Sequence, residues 1–139
     1  MIIGIPKEIM LGEARVAASP ETVKKFIQDG AKVLIEIGAG INSLYHDEDY
    51  IAMGAELVSS PLDVYKRSDL ILKVKEPLFN SSFNMHEVDM MHKGQYLITF
   101  IHPASPVNHE MVKKLAAVGV ISLTLDGIPR ISRAQKMDA

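Results

Sequence analysis

Six short apolar runs, spaced by segments with helix signals, constrain this chain more than any other feature. The runs are Met1 to Ile5, Lys32 to Ile37, Ala55 to Val58, Leu70 to Pro77, Gln95 to Ile101 and Val120 to Leu125. Each is short and rich in aliphatic residues, several of them β-branched, and reads as a buried strand. Between them lie helix starts and stops. Ser19-Pro20-Glu21-Thr22 pairs an N-cap serine with proline at the first helical position and an acid favourable to the dipole, and Asp29-Gly30 ends that helix. Asp47 to Gly54 has an acidic start and a glycine stop, Pro61 to Lys66 reads as a short helical turn, and Ser105-Pro106 repeats the first capping pattern ahead of a helix that Gly119 ends. Residues 78–94 read as a loop with one helix. Such alternation predicts an α/β fold, a Rossmann-like (flavodoxin-like) parallel sheet with helices on both faces and right-handed crossovers. Strand order is not fixed by these signals.

The 139 residues suit one domain with a sizeable core, and 47% hydrophobic with 23% charged residues is ordinary for a soluble globular protein. A net charge of -2 gives no basic field for nucleic acid, so no nucleic-acid partner is expected. The absence of cysteine excludes disulfides and thiolate zinc sites. His46, His86, His92 and His109 show no spacing for a shared metal, so they read as surface residues and no metal site is expected. Without a basic-then-apolar leader or a membrane-length apolar run, a cytoplasmic location is expected. The final residues, Arg133 to Ala139, are strong helix formers without a stop signal. Residues 1–130 are therefore expected to form the domain, and 131–139 the start of a helix connecting it to a further domain.

In an open parallel sheet, ligands gather outside the carboxyl ends of strands. Three chemically capable residues follow apolar runs: Arg15 in the loop after the first, Lys75 at the end of the fourth and His102 directly after the fifth. Arginine suits bidentate capture of a carboxylate, a desolvated lysine can bind a carboxylate or polarise a carbonyl, and histidine exchanges protons near neutral pH. Singly, each is most simply a surface or structural residue; together they predict one rim. Lys73, two residues before Lys75, points to the same side and is expected either to snorkel to water or to join the site, and Glu76 is a candidate partner for Lys75. Gly38-Ala39-Gly40 follows a strand but opens no long helix, so it reads as a turn and not as a dinucleotide fingerprint.

Three motifs then carry a family likeness: Ile3-Gly4-Ile5-Pro6-Lys7-Glu8 with Glu13-Ala14-Arg15-Val16-Ala17, Glu36-Ile37-Gly38-Ala39-Gly40, and Leu72-Lys73-Val74-Lys75-Glu76-Pro77. With them the chain resembles the N-terminal domain shared by alanine dehydrogenases and the alpha subunits of proton-translocating NAD(P) transhydrogenases. The dehydrogenase branch implies that Arg15 and Lys75 bind a 2-oxo acid and that His102 is the acid/base or hydrogen-bonding partner of its carbonyl oxygen, with Lys75 and His102 as catalytic residues. The last stretch, Pro129 to Ala139, resembles the transhydrogenase branch, which implies that Arg130, Gln135 and Asp138 position the nicotinamide. That longer match favours a transhydrogenase alpha subunit, with alanine dehydrogenase as the alternative and a non-catalytic regulatory or dimer-supporting module as a third possibility. The likeness further implies NAD held mainly by an NAD-binding domain of the same protein and a homo-oligomer. For the transhydrogenase it adds NADP on a partner subunit and attachment to the inner membrane through a membrane beta subunit.

Overall fold

The computed structural model describes residues 1–101 and 105–125. The first half runs β1 (Ile2–Ile5), α1 (Pro20–Gln28), β2 (Lys32–Glu36), α2 (Asp47–Ala52), β3 (Glu56–Val58), α3 (Pro61–Arg67) and β4 (Leu70–Leu72). After it come β5 (Phe79–Asn80), β6 (Met85–His86), α4 (Glu87–Met90), β7 (Tyr96–Thr99), α5 (His109–Val118) and β8 (Ile121–Thr124). Six strands form one sheet in the order β3-β2-β1-β4-β7-β8, every neighbouring pair parallel. The α/β reading holds, and the order, which the sequence left open, is the doubly wound Rossmann one, reversing direction between β1 and β4.

Local chemistry explains the elements. Ser19 caps α1 by accepting the Thr22 N–H at 3.2 Å, with Pro20 at the first turn, and Gly30 leaves the helix at φ 98. Ser60 accepts the Leu62 N–H for α3 in the same way. Ahead of α5 the Ser105-Pro106 pattern departs from expectation: Pro106–Asn108 is a turn of 3-10 helix, Ser105 makes no side-chain cap bond, and the α-helix begins at His109. Residues 78–94 hold the expected helix as α4, plus an antiparallel β5–β6 hairpin that was not foreseen.

Two apolar clusters sandwich the sheet. On one face α1 and α2 pack Val23 and Tyr50 against Ile3, Ile5, Val33 and Ile35; on the other α3, α4 and α5 pack Val64, Val88 and Leu115 against Leu34, Ile71 and Leu97. Each fully buried Leu, Ile or Val contributes about 1.5–3 kcal/mol relative to exposure. Gly4 sits where the sheet changes direction. A Cβ there would overlap the Ser68 side chain, so only glycine lets the end of α3 lie against β1.

Candidate functional site

The apolar run from Leu70 does not stay a strand to Pro77. The strand ends at Leu72, the Lys73 N–H still donating to Ile98 of the neighbouring strand at 3.1 Å; the two amides after it have a different acceptor, since Glu8, from the turn after β1, takes the Val74 N–H at 2.9 Å and the Lys75 N–H at 3.1 Å. The switch point between β1 and β4 is thus closed by a side chain rather than by further sheet. The same carboxylate pairs with the Lys73 ammonium at 3.2 Å, and Glu87 approaches that ammonium at 3.4 Å from the start of α4. Glu87 in turn accepts the Tyr65 hydroxyl and the Leu78 N–H, each at 2.9 Å. Lys73 and both glutamates have side chains at most 2% exposed. Burial opposes the lysine charge, but Glu87 and Glu8 outweigh it and hold the ammonium above its usual range. Burial, aided by the neighbouring Glu87 charge, raises the Tyr65 hydroxyl well above its ordinary value, so it stays a donor. Lys73 therefore neither snorkels nor faces a ligand freely; it is the centre of a buried ionic cluster.

That cluster fixes the loop bearing Lys75. The Lys75 amide is held by Glu8, its carbonyl accepts the Thr99 hydroxyl of β7 at 2.8 Å, and its side chain remains half-buried at the rim. Arg15 is positioned by a separate set of contacts. Ser43 donates to the Ala14 carbonyl at 2.6 Å and Tyr50 donates to the Ala18 carbonyl at 2.7 Å, which pins the loop on both sides of Arg15. Burial first, then the Tyr45, Asp49 and Asp47 charges, push the Tyr50 hydroxyl up to about 12, so it too remains a donor. Arg15 itself, 44% exposed, forms a bidentate pair with Glu13: Nε to Oε2 at 3.0 Å and Nη2 to Oε1 at 2.9 Å. The Arg15 hydrogen bond lowers the Glu13 carboxyl below its ordinary value, and Lys75 is near enough to add to that effect. Arg15 and its partner Glu13 thus stand near the end of β4, where the segment bearing Lys75 begins.

Beside them opens a cleft of about 440 Å³, lined by Arg15, Ala17, Tyr45, Leu72, Lys73 and Phe100 among others. Its walls are largely apolar, and the exposed charge on its lining is the Arg15 guanidinium, one edge of which Glu13 occupies; the Lys75 side chain does not line it. The residues at the switch point do not fit a dinucleotide pyrophosphate, because Glu8 presents a carboxylate there and already occupies the Val74 and Lys75 amides. Gly38-Ala39-Gly40 is a turn, as read: Gly38 donates to Asp47 at 2.9 Å, and a Cβ at Gly40 would meet Tyr50 at 2.8 Å. His102, Arg130, Gln135 and Asp138 lie outside the described residues, as does the expected helix at 131–139. Of the four histidines read as surface residues, His86 departs from that reading: it is partly buried and accepts the Val88 N–H at the start of α4. Among the described residues no three His, Asp or Glu side chains converge to hold a metal, and no helix is long and apolar enough to cross a membrane.

Glu8, Glu87, Thr99 and Glu13 were missed as organisers of the rim. A signal for Glu8 existed: a lysine inside an apolar strand needs an acid, and Glu8 follows the first strand at the same end. Nothing local marks Glu87 or Thr99.

The sequence of residues 4–139 matches the family described as alanine dehydrogenase/PNT, N-terminal domain. The chain is 38% identical over its full 139 residues to NAD(P) transhydrogenase subunit alpha of Cereibacter sphaeroides, covering 25% of that protein. It is 43% identical to alanine dehydrogenase of Methanococcus maripaludis over 75% of this chain and 26% of that one. The chain spans about a quarter of the length of these curated relatives. Among solved structures it resembles a transhydrogenase from Sinorhizobium meliloti with TM-score 0.84 and 35% identity, over 99% of this chain and 39% of that one. It resembles an L-alanine dehydrogenase with TM-score 0.83 and 36% identity, over 96% and 34%.

Proposed function

The chain belongs to the alanine dehydrogenase/PNT N-terminal domain family, and on that premise we propose that it is the N-terminal domain of a proton-translocating NAD(P) transhydrogenase alpha subunit, serving hydride transfer between NAD(H) and NADP(H). The observation that carries this reading is that the likeness to the Cereibacter sphaeroides alpha subunit runs the whole chain, through residues 129–139, whereas the alanine dehydrogenases of Methanococcus maripaludis and Bacillus subtilis match 75% and 92% of it. In this reading NAD is held mainly by a Rossmann domain of the same protein, with Arg130, Gln135 and Asp138 directed to the nicotinamide. The carboxylate at this domain's own switch point agrees with that division of labour. NADP sits on a partner subunit, a membrane beta subunit carries the protons, and the alpha subunit is a homo-oligomer attached to the inner membrane through that partner.

A second reading, alanine dehydrogenase, is favoured by one feature of the rim: Arg15, its side chain 44% exposed, lines the cleft at the end of β4. Here Arg15 holds the carboxylate of pyruvate, Lys75 faces its carbonyl oxygen, His102 exchanges the proton, and hydride adds to the imine formed with ammonia. The full-length protein decides between them when assayed with alanine plus NAD, and with NADH plus an NADP analogue in the presence of the beta subunit. Transfer between nucleotides is expected; alanine oxidation without such transfer would overturn the first reading.

A further inference from the structure

We infer that Glu13 is a positioning residue that aims Arg15 at a carboxylate ligand. The inference rests on the second reading, in which Arg15 receives the carboxylate of a 2-oxo acid. Glu13 engages the side-on fork of the guanidinium, Nε and Nη2, at 3.0 and 2.9 Å. Its Oε2 also accepts the Arg15 backbone N–H at 2.8 Å, so one carboxylate ties together both ends of the arginine. The end-on edge, Nη1 with the second Nη2 hydrogen, has no hydrogen-bond partner among the described residues, and the side chain lines the cleft. A bidentate pair uses two of five donors in a fixed plane, so anchoring one edge fixes the direction of the other.

The Glu13 side chain is only 6% exposed, against 44% for Arg15, and the loop between Ala14 and Ala18 is pinned by Ser43 and Tyr50. The anchor is therefore rigid and the working edge is open. Ordering a long side chain before the ligand arrives lowers the entropic cost of binding. Charge alone has the opposite sign. Glu13 is an anion near a site for an anion, so on charge alone its neutralisation should tighten binding.

That opposition makes a test. In the full-length protein, the KM for pyruvate in reductive amination with NADH and ammonia is measured for wild type, Glu13→Gln and Glu13→Asp. The Gln variant loses the charge and the Asp variant keeps it, but both lose the two-pronged geometry. Positioning predicts a pyruvate KM raised about tenfold in both, with kcat within about twofold and the NADH KM unchanged. In an Arg15→Lys background, Glu13→Gln should give no further loss, since an ammonium has no planar edge to aim. If the Gln variant does not fold, the Asp variant carries the test. An unchanged or lowered KM, or a loss that adds to that of Arg15→Lys, would overturn the role of Glu13 alone. A wild-type protein showing no saturable use of pyruvate would overturn the dehydrogenase reading and this inference with it.

Discussion

Two lysines two residues apart behave in opposite ways. Lys73 is buried and held by two glutamates; Lys75 has its backbone held on both sides while its side chain stands at the rim. Strand geometry alone would put both on one side. They diverge because the strand ends at Leu72: Glu8 turns the chain, and beyond that point alternation no longer applies. A lysine buried with its acids gives the region rigidity, and the neighbour on the rigid support is available for chemistry.

The comparison breaks most severely if the buried member is removed. Lys73→Met leaves Glu8 and Glu87 facing each other without a cation, and a loss of about 3–5 kcal/mol is expected, read by urea or thermal unfolding. Arg15→Met, at a pair whose arginine is exposed although its glutamate is not, should cost less, about 1–2 kcal/mol on the same measurement. Equal losses would mean that burial does not separate the two sites.

Lys75→Ala should do the reverse, leaving the melting temperature near wild type while reducing oxo-acid turnover about a hundredfold or more if the dehydrogenase reading holds. Unchanged alanine oxidation would remove Lys75 from the chemistry. Thr99→Val deletes the hydroxyl that holds the Lys75 carbonyl, with an expected cost of about 1 kcal/mol, and a fully preserved stability would show that Glu8 alone fixes the loop.

The smallest effect concerns Glu36, whose carboxyl burial pushes up despite the opposing Lys7 N–H. A raised carboxyl pKa means that the folded chain binds the proton more tightly than the unfolded chain, so stability falls as pH rises through that range. Glu36→Gln should therefore raise the melting temperature slightly at pH 7 and lose that advantage near about pH 4, where the carboxyl is protonated anyway. A gain that is the same at both pH values would point to packing instead.

Much of the scaffold was legible because its signals are local. Ser19-Pro20, the Asp29-Gly30 stop and the apolar runs each act within a few residues, and the elements formed where those signals stand. The β5–β6 hairpin escaped notice because each of its strands is only two residues long. At the site, Arg15 and Lys75 could each be placed after a strand, since strand ends can be read from apolar runs. Their supports could not be assigned, because Glu87 reaches Leu78 and Lys73 through tertiary geometry, and Thr99 meets Lys75 only once β4 and β7 are paired. Periodicity reports which face a residue takes, not which distant side chain it will meet.

The span of the Glu8 to Lys73 contact, 65 residues, also carries a kinetic meaning. Local helices and the β1-α1-β2 unit can organise early, but this ion cluster closes only after β1 and β4 are already side by side, when most loop entropy has been lost. Its interactions should then be largely absent from the folding transition state. Weakening the cluster would speed unfolding and leave refolding nearly unchanged, a pattern that stopped-flow chevrons of Lys73 variants would read directly.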